Sequence, residues 1–282
     1  MKGGLFPDEG EGPPDPPAPA RARKAAPAAG TAAGPARKPG ERRLFLLDGT
    51  ALAYRAFHAM ARTGLADRHG RPTGAIFGFV NTVFRILRTE APDHLAVAFD
   101  LPGPTFRHEL YADYKATRER MPPELVEQMP RLREVVRALG YPVLEVPGWE
   151  ADDVLATVAR RASGEGARVF IVTGDKDLMQ LVDERVSIYN VLTKGDAVEL
   201  LDPKGVEEKF GVPPDRVADV LALMGDTSDN VPGVPGIGPK TAVELVRRFG
   251  SFEQVLARAA EVEKPKIREV WVEGTAAWQY FF

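Results

Sequence analysis

The stretch Trp149-Glu150-Ala151-Asp152-Asp153 places three carboxylates within four residues at the start of an otherwise apolar helix. The apolar positions that follow have the spacing of one buried helical stripe: Val154, Leu155, Val158 and Ala159. Acids in the first turn of a helix interact favourably with its dipole, by about 0.3–1 kcal/mol each. Helix capping is therefore one interpretation. A functional site is the other, and it is favoured by isolated Asp residues that end several other stretches of the chain.

Short apolar runs elsewhere in the chain predict the strands of a buried parallel sheet. They are Leu44–Leu47, Leu95–Phe99 and Arg168–Thr173, with a shorter one at Tyr141–Val146. Helical spacing of apolar residues predicts helices between them, including 74–87 and 125–139. This alternation over 43–190 indicates an α/β fold with a mostly parallel sheet flanked by helices. Residues 203–259 are mainly helical in pattern, with a Gly- and Pro-rich interruption at 225–239.

Three of the predicted strands end in aspartate, at Asp48, Asp100 and Asp175. For a single Asp, the start of a turn is the alternative interpretation. Parallel strands, however, bring their carboxyl ends to one edge of the sheet, where ligands bind. The acidic helix should begin at the same edge, and Asp177 lies two residues beyond Asp175. Carboxylates this close together need cations to remain ionised. The chemistry that uses such a group is two-metal phosphoryl hydrolysis, in which the ions lie about 3.5–4 Å apart.

Helical geometry limits this hypothesis. At about 100° per residue, Glu150 and Asp153 share a helix face while Asp152 points away from both. The three can converge only if Glu150 precedes the first helical turn, or if they serve different ions.

Residues 105–123 are basic, with interleaved aromatic residues and weak periodicity. Such a segment suits a single-stranded nucleic acid, whose bases can stack on the rings; an ordinary solvated connection is the alternative. The basic residues are Arg107, Lys115, Arg118 and Arg120, and the aromatic residues are Phe106, Tyr111 and Tyr114.

The interruption at 225–239 adds two acids, Asp226 and Asp229, and then a glycine-rich turn before a second helix. Pro239 suits the first position of that helix. A turn of this kind presents backbone N–H groups at a helix start, where a phosphate can bind, and Lys240 supplies charge beside it. A plain helix–helix turn is the alternative.

Composition restricts the class of protein. The chain has no cysteine and only four histidines, so a metal here should be a hard cation bound by oxygen. No run approaches the ~18 apolar residues of a membrane span, and we expect a cytoplasmic protein without a membrane partner. The net charge of −3 does not by itself indicate nucleic-acid binding. Ala, Pro and Gly make up 26 of the first 40 residues, which predicts a disordered tail over 1–42.

These motifs together resemble the 5′-nuclease domain of bacterial DNA polymerase I and, more distantly, flap endonucleases. The matching segments are 46–49 (Leu-Leu-Asp-Gly), 54–59 (Tyr-Arg-Ala-Phe-His-Ala), 98–100 (Ala-Phe-Asp), 106–109 (Phe-Arg-His-Glu), 114–118 (Tyr-Lys-Ala-Thr-Arg), 149–153, 173–177 (Thr-Gly-Asp-Lys-Asp) and 225–242. The resemblance covers about 43–268 in the same order. It implies a PIN-like nuclease domain over 43–202 and a helix-hairpin-helix DNA-binding region over 203–268. The tail over 269–282 departs from the family pattern.

The resemblance also implies an activity and a set of site residues. The activity is Mg²⁺- or Mn²⁺-dependent cleavage of 5′ ends and 5′ flaps of DNA in replication and repair. The implied metal ligands are Asp48, Asp100, Glu150, Asp152, Asp153, Asp175, Asp177, Asp226 and Asp229. The implied catalytic residues are Arg55 and Lys115 at the scissile phosphate, together with Asp175 and Asp177. The implied DNA-binding residues are Arg107, Tyr114, Arg118, Gly233, Gly236, Ile237, Gly238, Lys240 and Thr241, with K⁺ at the hairpin and 105–123 as an arch over the single strand.

Alternatives differ in chemistry. A haloacid-dehalogenase-like phosphatase needs an Asp nucleophile two residues before Asp48, where this chain has Leu46. A small PIN-type ribonuclease lacks the hairpin region. A catalytically silent branched-DNA binding module stays open, as does a nuclease that prefers RNA in hybrids. Because no polymerase region follows in this chain, we expect a free-standing, monomeric nuclease.

Overall fold

The structure is a computed structural model, and it describes residues 37–191 and 197–261. The predicted N-terminal tail lies outside the described residues up to residue 36, and the predicted C-terminal tail over 269–282 lies outside them entirely.

A mostly parallel sheet forms the centre of the fold, as the alternating pattern predicted. Its strands are β1 (Arg43–Asp48), β2 (His94–Ala98), β3 (Val143–Leu144), β4 (Arg168–Val172), β5 (Val186–Asn190) and β6 (Glu199–Leu201). They lie in the order β3-β2-β1-β4-β5-β6, and only β6 runs antiparallel to its neighbour. The sequence analysis did not identify β5 and β6. β5 follows a short 3₁₀ helix (Asp177–Leu181) and β6 has only three residues, so neither shows the clear alternation of strand and α-helix that marked the other strands.

Helices connect and cover these strands. They are α1 (Gly49–Met60), α2 (Gly74–Glu90), α3 (Phe106–Leu110), α4 (Pro123–Ala138), α5 (Ala151–Gly164), α6 (Pro203–Phe210), α7 (Val217–Met224), α8 (Pro239–Phe249) and α9 (Phe252–Ala257). Short 3₁₀ helices lie at Asp177–Leu181, Pro214–Arg216 and Ala259–Glu261. The five-residue α3 lies inside 105–123, which the sequence predicted only as a weakly periodic loop.

Alternating side chains of the central strands enter two different cores. Phe45 and Leu47 of β1 face α1, α2 and α4, and the Phe45 ring stacks on Phe170 of β4 at a centroid distance of 4.7 Å. Leu46 and Ile171 face the other side, where they pack in one cluster with α5, α7, α8 and α9. The C-terminal helices are thereby joined to the sheet through a continuous buried core. This packing brings the acids after α7 to the edge of the sheet.

The Gly/Pro-rich segment is a small hairpin and not only a helix–helix turn. Strands β7 (Gly225–Asp226) and β8 (Val231–Pro232) pair antiparallel directly after α7. Gly225 has a φ of +71°, and a Cβ atom there would lie 2.2 Å from the backbone nitrogen of Gly233. Both glycines are therefore required by the close approach of the two backbones.

None of the helices in residues 37–191 and 197–261 is both long enough and apolar enough to cross a membrane.

Candidate active site

The carboxyl ends of β2, β1 and β4 lie side by side at one edge of the sheet. Asp48, the last residue of β1, is paired with Ala98 of β2, two residues before Asp100. On the other side of β1, Asp175 comes three residues after the end of β4. The three strand-end aspartates are therefore brought together by the order of the strands.

A cavity of about 380 Å³ opens at this edge. Six of the predicted carboxylates line it: Asp48, Asp100, Glu150, Asp152, Asp175 and Asp229. Two basic residues, Lys115 and Arg118, line the same cavity. Sequence reasoning missed three further polar lining residues, Thr50, Tyr54 and Glu119. Tyr54 and Thr50 carry a weak signal in retrospect, since both lie in the first turns after the Asp that ends β1.

Hydrogen bonds hold the strand-end carboxylates in place. Asp48 caps α1 by accepting from the backbone N–H of Ala51 at 2.9 Å, and it accepts from the Thr173 hydroxyl at 3.0 Å. Asp100 accepts from the backbone N–H of Ala151 at 2.8 Å, which ties the end of β2 to the start of α5. These contacts orient the two carboxylates without neutralising them.

Glu150 lies just before α5, which is one of the two conditions under which its carboxylate can converge with a carboxylate of the first helical turn. Asp152 lines the main cavity and also a neighbouring depression of about 150 Å³. Asp153 does not join them. Its carboxylate accepts from the Arg107 guanidinium at 2.8 and 2.9 Å and from the Glu150 backbone N–H at 3.0 Å.

The pairing with Asp153 also removes Arg107 from the surface. Arg107 was predicted to contact DNA, but it is 8% exposed and its guanidinium is committed to this ion pair. Burying a cation is favourable only beside a partner of opposite charge, and Asp153 supplies that charge. The prediction of Arg107 as a DNA contact is therefore not supported by its position.

Lys115 lines the cavity, and the Tyr114 hydroxyl contacts two of its carboxylates; both residues belong to the segment that the sequence predicted as an arch. The Lys115 ammonium is 2.8 Å from Glu150 Oε1, and its backbone N–H donates to the Asp229 carbonyl oxygen at 2.8 Å. Lys115 has a φ of +57°, a conformation uncommon for a residue with a side chain. The Arg118 guanidinium approaches Asp229 Oδ1 to 3.0 Å, although the angles do not complete a hydrogen bond.

Tyr114 is 4% exposed, so its ring is not available to stack on a base in this structure. Its hydroxyl lies 3.0 Å from Glu150 Oε2 and 3.1 Å from Asp229 Oδ2. Burial and the two neighbouring carboxylates raise the pKa of the Tyr114 hydroxyl well above its usual value. The phenol therefore stays protonated and can donate to these carboxylates.

Two more predicted ligands lie beside the main cavity and not in its lining. Asp177 lines the smaller depression next to Asp152, and its Oδ1 is buried without a hydrogen-bond partner. Asp226 is 6% exposed, and its Oδ2 is 2.8 Å from the Lys176 ammonium. Burial raises the pKa of Asp226, but hydrogen bonds from Lys176 and Ser228 outweigh this and lower it overall. The predicted set of nine ligands is thus divided between the cavity and its borders.

Arg55 lies elsewhere. It lines a groove between α1 and α2, together with Asn81 and Arg85. Tyr54, one residue earlier, faces the carboxylate cavity, and a helix turns by about 100° between neighbours. The structure does not bring Arg55 to the predicted position beside the carboxylates.

The strand-end carboxylates are electrostatically crowded. Burial raises the pKa of Asp48 to about 6, and the charges of Asp100 and Asp175 add to the effect. Burial is also the main cause that raises the pKa of Asp175.

The carboxylates near the start of α5 are crowded in the same way. Burial raises the pKa of Asp152 to about 7, with further contributions from the charges of Glu150 and Asp153. Burial and the charge of Asp175 raise the pKa of Asp177 to about 8. Within residues 37–191 and 197–261, no three His, Cys, Asp or Glu side chains converge closely enough to enclose one ion.

The hairpin that leads to α8 has both buried and open positions. Gly236, with a φ of +84°, and Gly238 have open space where a side chain would be, and Lys240 is exposed. Thr241 is half-buried at the start of α8. Ile237 is 6% exposed, and its backbone N–H donates to the Val234 carbonyl oxygen at 3.0 Å. That N–H and side chain are committed to the fold, so the prediction of Ile237 as a DNA contact is not supported.

Comparison with known proteins covers most of the chain. Residues 43–211 match the family model described as 5′-3′ exonuclease, N-terminal resolvase-like domain. Residues 212–279 match the model described as 5′-3′ exonuclease, C-terminal SAM fold.

Curated relatives point the same way. The chain is 45% identical over 230 residues to DNA polymerase I of Bacillus caldotenax, a match that covers 81% of this chain and 26% of the relative. It is 43% identical over 213 residues to a 5′-3′ exonuclease of Aquifex aeolicus, covering 76% of this chain and 72% of the relative. The chain thus spans about a quarter of the length of the DNA polymerase I relatives.

Solved structures share the fold. T5 5′-exonuclease with bound zinc has a TM-score of 0.71 at 22% identity, covering 85% of this chain and 87% of that chain. The catalytic core of Rad2 in complex with a DNA substrate has a TM-score of 0.53 at 19% identity, covering 82% and 71%.

Proposed function

The chain belongs to the 5′-3′ exonuclease family, as its motifs predicted, and we propose that it is a metal-dependent 5′-3′ exonuclease and 5′-flap endonuclease. Its substrate is DNA with a 5′ end or 5′ flap at a nick or branch. We propose residues 43–202 as the nuclease domain and 203–268 as the duplex-binding region. The names of its DNA polymerase I relatives support a role in DNA replication and repair. We propose that the chain acts in the cytoplasm as a monomer.

One observation carries this proposal. Six carboxylates line a single cavity at the carboxyl edge of the parallel sheet, and Lys115 and Arg118 lie over the same cavity. A phosphodiester is an anion, so a purely acidic cavity would repel it. The combination of a carboxylate floor with basic residues above it fits a phosphodiester held between metal ions and protein cations.

The donor atoms fit divalent ions. All the proposed ligands are carboxylate oxygens, which Mg²⁺ and Mn²⁺ favour. Burial raises the pKa values of Asp48 and Asp152, and neighbouring carboxylates raise them further, so a divalent ion would stabilise the ionised forms. Asp177 Oδ1, buried without a partner, is a further oxygen available to an ion. Divalent ions held by these residues would activate water for attack on the phosphorus and stabilise the leaving oxygen.

The basic residues have separate tasks in this mechanism. Lys115 Nζ, now 2.8 Å from Glu150, lies over the cavity where it can pair with the scissile phosphate and stabilise negative charge on it. Arg118 is more exposed and can hold a neighbouring phosphate bidentately. Asp48 and Asp100 keep fixed positions because backbone N–H groups orient them. Cleavage in this way leaves a 5′-phosphate and a 3′-hydroxyl.

The proposal is tested with a 5′-labelled flap duplex in Mg²⁺, with EDTA, and with Asp175→Asn. We expect cleavage in Mg²⁺, none in EDTA, and a loss of at least about 100-fold in the variant, since a ligand of this kind supplies several kcal/mol of transition-state stabilisation. A matched control is Asp215→Asn. The Asp215 side chain is 70% exposed, and its charge change occurs away from the cavity.

Three outcomes would count against the proposal. Tight flap binding without cleavage by the parent protein in Mg²⁺ or Mn²⁺ leaves a catalytically silent branched-DNA binding module. Faster cleavage of a flap strand made of RNA than of the same strand made of DNA favours a nuclease that acts on hybrids. Equal loss of activity in Asp215→Asn and Asp175→Asn would mean that the cavity is not the active site.

A further inference from the structure

The cavity carboxylates differ in whether the protein supplies a counter-ion. Glu150 lies 2.8 Å from the Lys115 ammonium, and Asp229 lies 3.0 Å from the Arg118 guanidinium. In contrast, neither Asp48 nor Asp152 has an ion-pair partner among the described residues. The acids that border the cavity differ in the same way, since Asp226 has a basic side chain beside it and Asp177 Oδ1 has no hydrogen-bond partner in the described part of the chain. The basic side chain beside Asp226 comes neither from the segment 105–123 nor from the β7–β8 hairpin.

That side chain belongs to Lys176, which lies between Asp175 and Asp177 in the sequence but reaches across to a different element. Its ammonium is 2.8 Å from Asp226 Oδ2, in the short strand β7. The other oxygen, Asp226 Oδ1, accepts from the backbone N–H of Ser228 at 2.7 Å and from its hydroxyl at 2.6 Å. Both carboxylate oxygens are therefore occupied by protein groups.

The surroundings make this ion pair more than a surface contact. The Asp226 side chain is 7% exposed and that of Lys176 is 35% exposed. The hairpin that carries Asp226 is pinned because Gly225 and Gly233 pack backbone against backbone. Asp226 consequently has little freedom to move, whereas the flexible stem of Lys176 can withdraw its charge toward solvent.

We propose that Lys176 is a positioning residue whose ammonium pairs with Asp226 Oδ2 where a divalent ion would otherwise bind. The ammonium must then be displaced when the second ion binds. This inference rests on the proposed function, because it assumes that Asp226 contributes to ion binding. Carboxylates without resident cations, such as Asp48 and Asp152, would bind the first ion. The ion held near Asp226 would bind more weakly, since it competes with the Lys176 ammonium for Oδ2.

The competition has a defined electrostatic consequence. A unit positive charge within a few ångströms of a cation site weakens it, by about tenfold or more in a partly solvated cavity. Replacing Lys176 by a neutral residue removes this repulsion and frees Asp226 Oδ2. The weaker ion position should then tighten, while the position served by the unpaired carboxylates should change little.

The test uses Mn²⁺ as the probe, with free ion followed by electron paramagnetic resonance during a titration of the full chain. For the parent we expect a tighter and a weaker class of bound Mn²⁺. In Lys176→Met the weaker class should tighten by about tenfold, and the tighter class should stay within about twofold. Lys176→Arg keeps the charge and should resemble the parent. Lys176→Gln, which can still donate to Asp226, is a second neutral variant if the Met variant folds poorly.

Lys209→Met is the matched control. Its ammonium is 2.7 Å from Glu199 Oε2, an ion pair of nearly the same length that lies outside the cavity. We expect this variant to leave both classes of Mn²⁺ unchanged.

A merely structural Lys176 would behave differently. Its replacement would lower the thermal stability in EDTA and leave the affinity of the weaker Mn²⁺ class unchanged, and that result would overturn the inference. A parent protein with no weaker class of Mn²⁺ would overturn it as well. Failure of the parent to cleave a flap while the weaker class still tightens in Lys176→Met would instead count against the proposed function alone.

Discussion

Replacing Asp48 by Asn should stabilise the protein in the absence of divalent ions. In the folded protein the pKa of Asp48 is about 6, whereas its ordinary value is 3.8. The ionised carboxylate is therefore less favourable in the folded state than in the unfolded state. This penalty is absent below about pH 4, grows as the pH rises through the interval between the two pKa values, and is complete above about pH 6.

The magnitude follows from the shift. A difference of roughly two pKa units at 1.36 kcal/mol each corresponds to about 3 kcal/mol. Asp48 lines an open cavity, so water there reduces the effect, and we expect a gain of about 1–2 kcal/mol. Asn is nearly isosteric: its carbonyl oxygen can accept from the Ala51 N–H, and its amide can donate to the Thr173 hydroxyl oxygen.

The assay is urea unfolding of both proteins in EDTA at about pH 7.5 and about pH 4.5. Asp202→Asn is the matched control, because Asp202 caps α6 by accepting from the Gly205 N–H at 2.8 Å, the same contact that Asp48 makes at the start of α1. Asn and Asp are nearly equivalent caps, so the control should change stability little. Saturating Mg²⁺ should reverse the ranking, since the parent gains binding free energy that Asp48→Asn loses.

Two results would refute this reasoning. One is a destabilised Asp48→Asn variant in EDTA at about pH 7.5. The other is a stabilisation that persists undiminished at about pH 4.5, where linkage predicts a decrease to roughly a third.

Further predictions concern the hairpin and the helix after it. Gly225→Ala should lower the free energy of unfolding by about 3 kcal/mol or more, because the new Cβ would lie 2.2 Å from Gly233 N. Gly236→Ala, where only the positive φ is unfavourable, should cost about 1 kcal/mol in the same urea assay. Lys240→Ala should weaken duplex binding equally for unrelated sequences and reduce the salt slope by about one. The exposed Lys204→Ala should not, and equal binding by both variants in a fluorescence titration would remove the phosphate site from the hairpin.

Much of the fold could be predicted from short-range pattern. The continuous apolar runs at β1, β2 and β4 predicted buried parallel strands. The helical spacing of apolar residues after Asp153 predicted α5. β5 and β6 were not predicted because β5 follows a short 3₁₀ helix instead of an α-helix and β6 is a three-residue edge strand. Register between distant strands sets such elements, and local propensity does not encode it.

Part of the candidate site could also be predicted from the sequence. The strand-end acids could be assigned to one edge because parallel strands share a direction. Arg107 and Tyr114 could not be assigned correctly, since a basic or aromatic residue in a polar segment looks exposed in sequence. In the structure, Arg107 pairs with Asp153 and Tyr114 with Glu150, at separations of 46 and 36 residues along the chain.

Residues 149–153 show which properties the sequence determines and which ones depend on the tertiary structure. By itself, the sequence determined that Glu150, Asp152 and Asp153 lie around the start of a helix and that the chain carries the motifs of a 5′-3′ exonuclease, because both depend on residue type and spacing along the chain. Only the tertiary structure decided that Glu150 and Asp152 line the cavity while Asp153 is held by Arg107. The tertiary structure likewise decided that the Lys176 ammonium pairs with the Asp226 carboxylate. The physical reason is that a carboxylate's role depends on the nearest opposite charge, and these charges come from elements that only folding brings together.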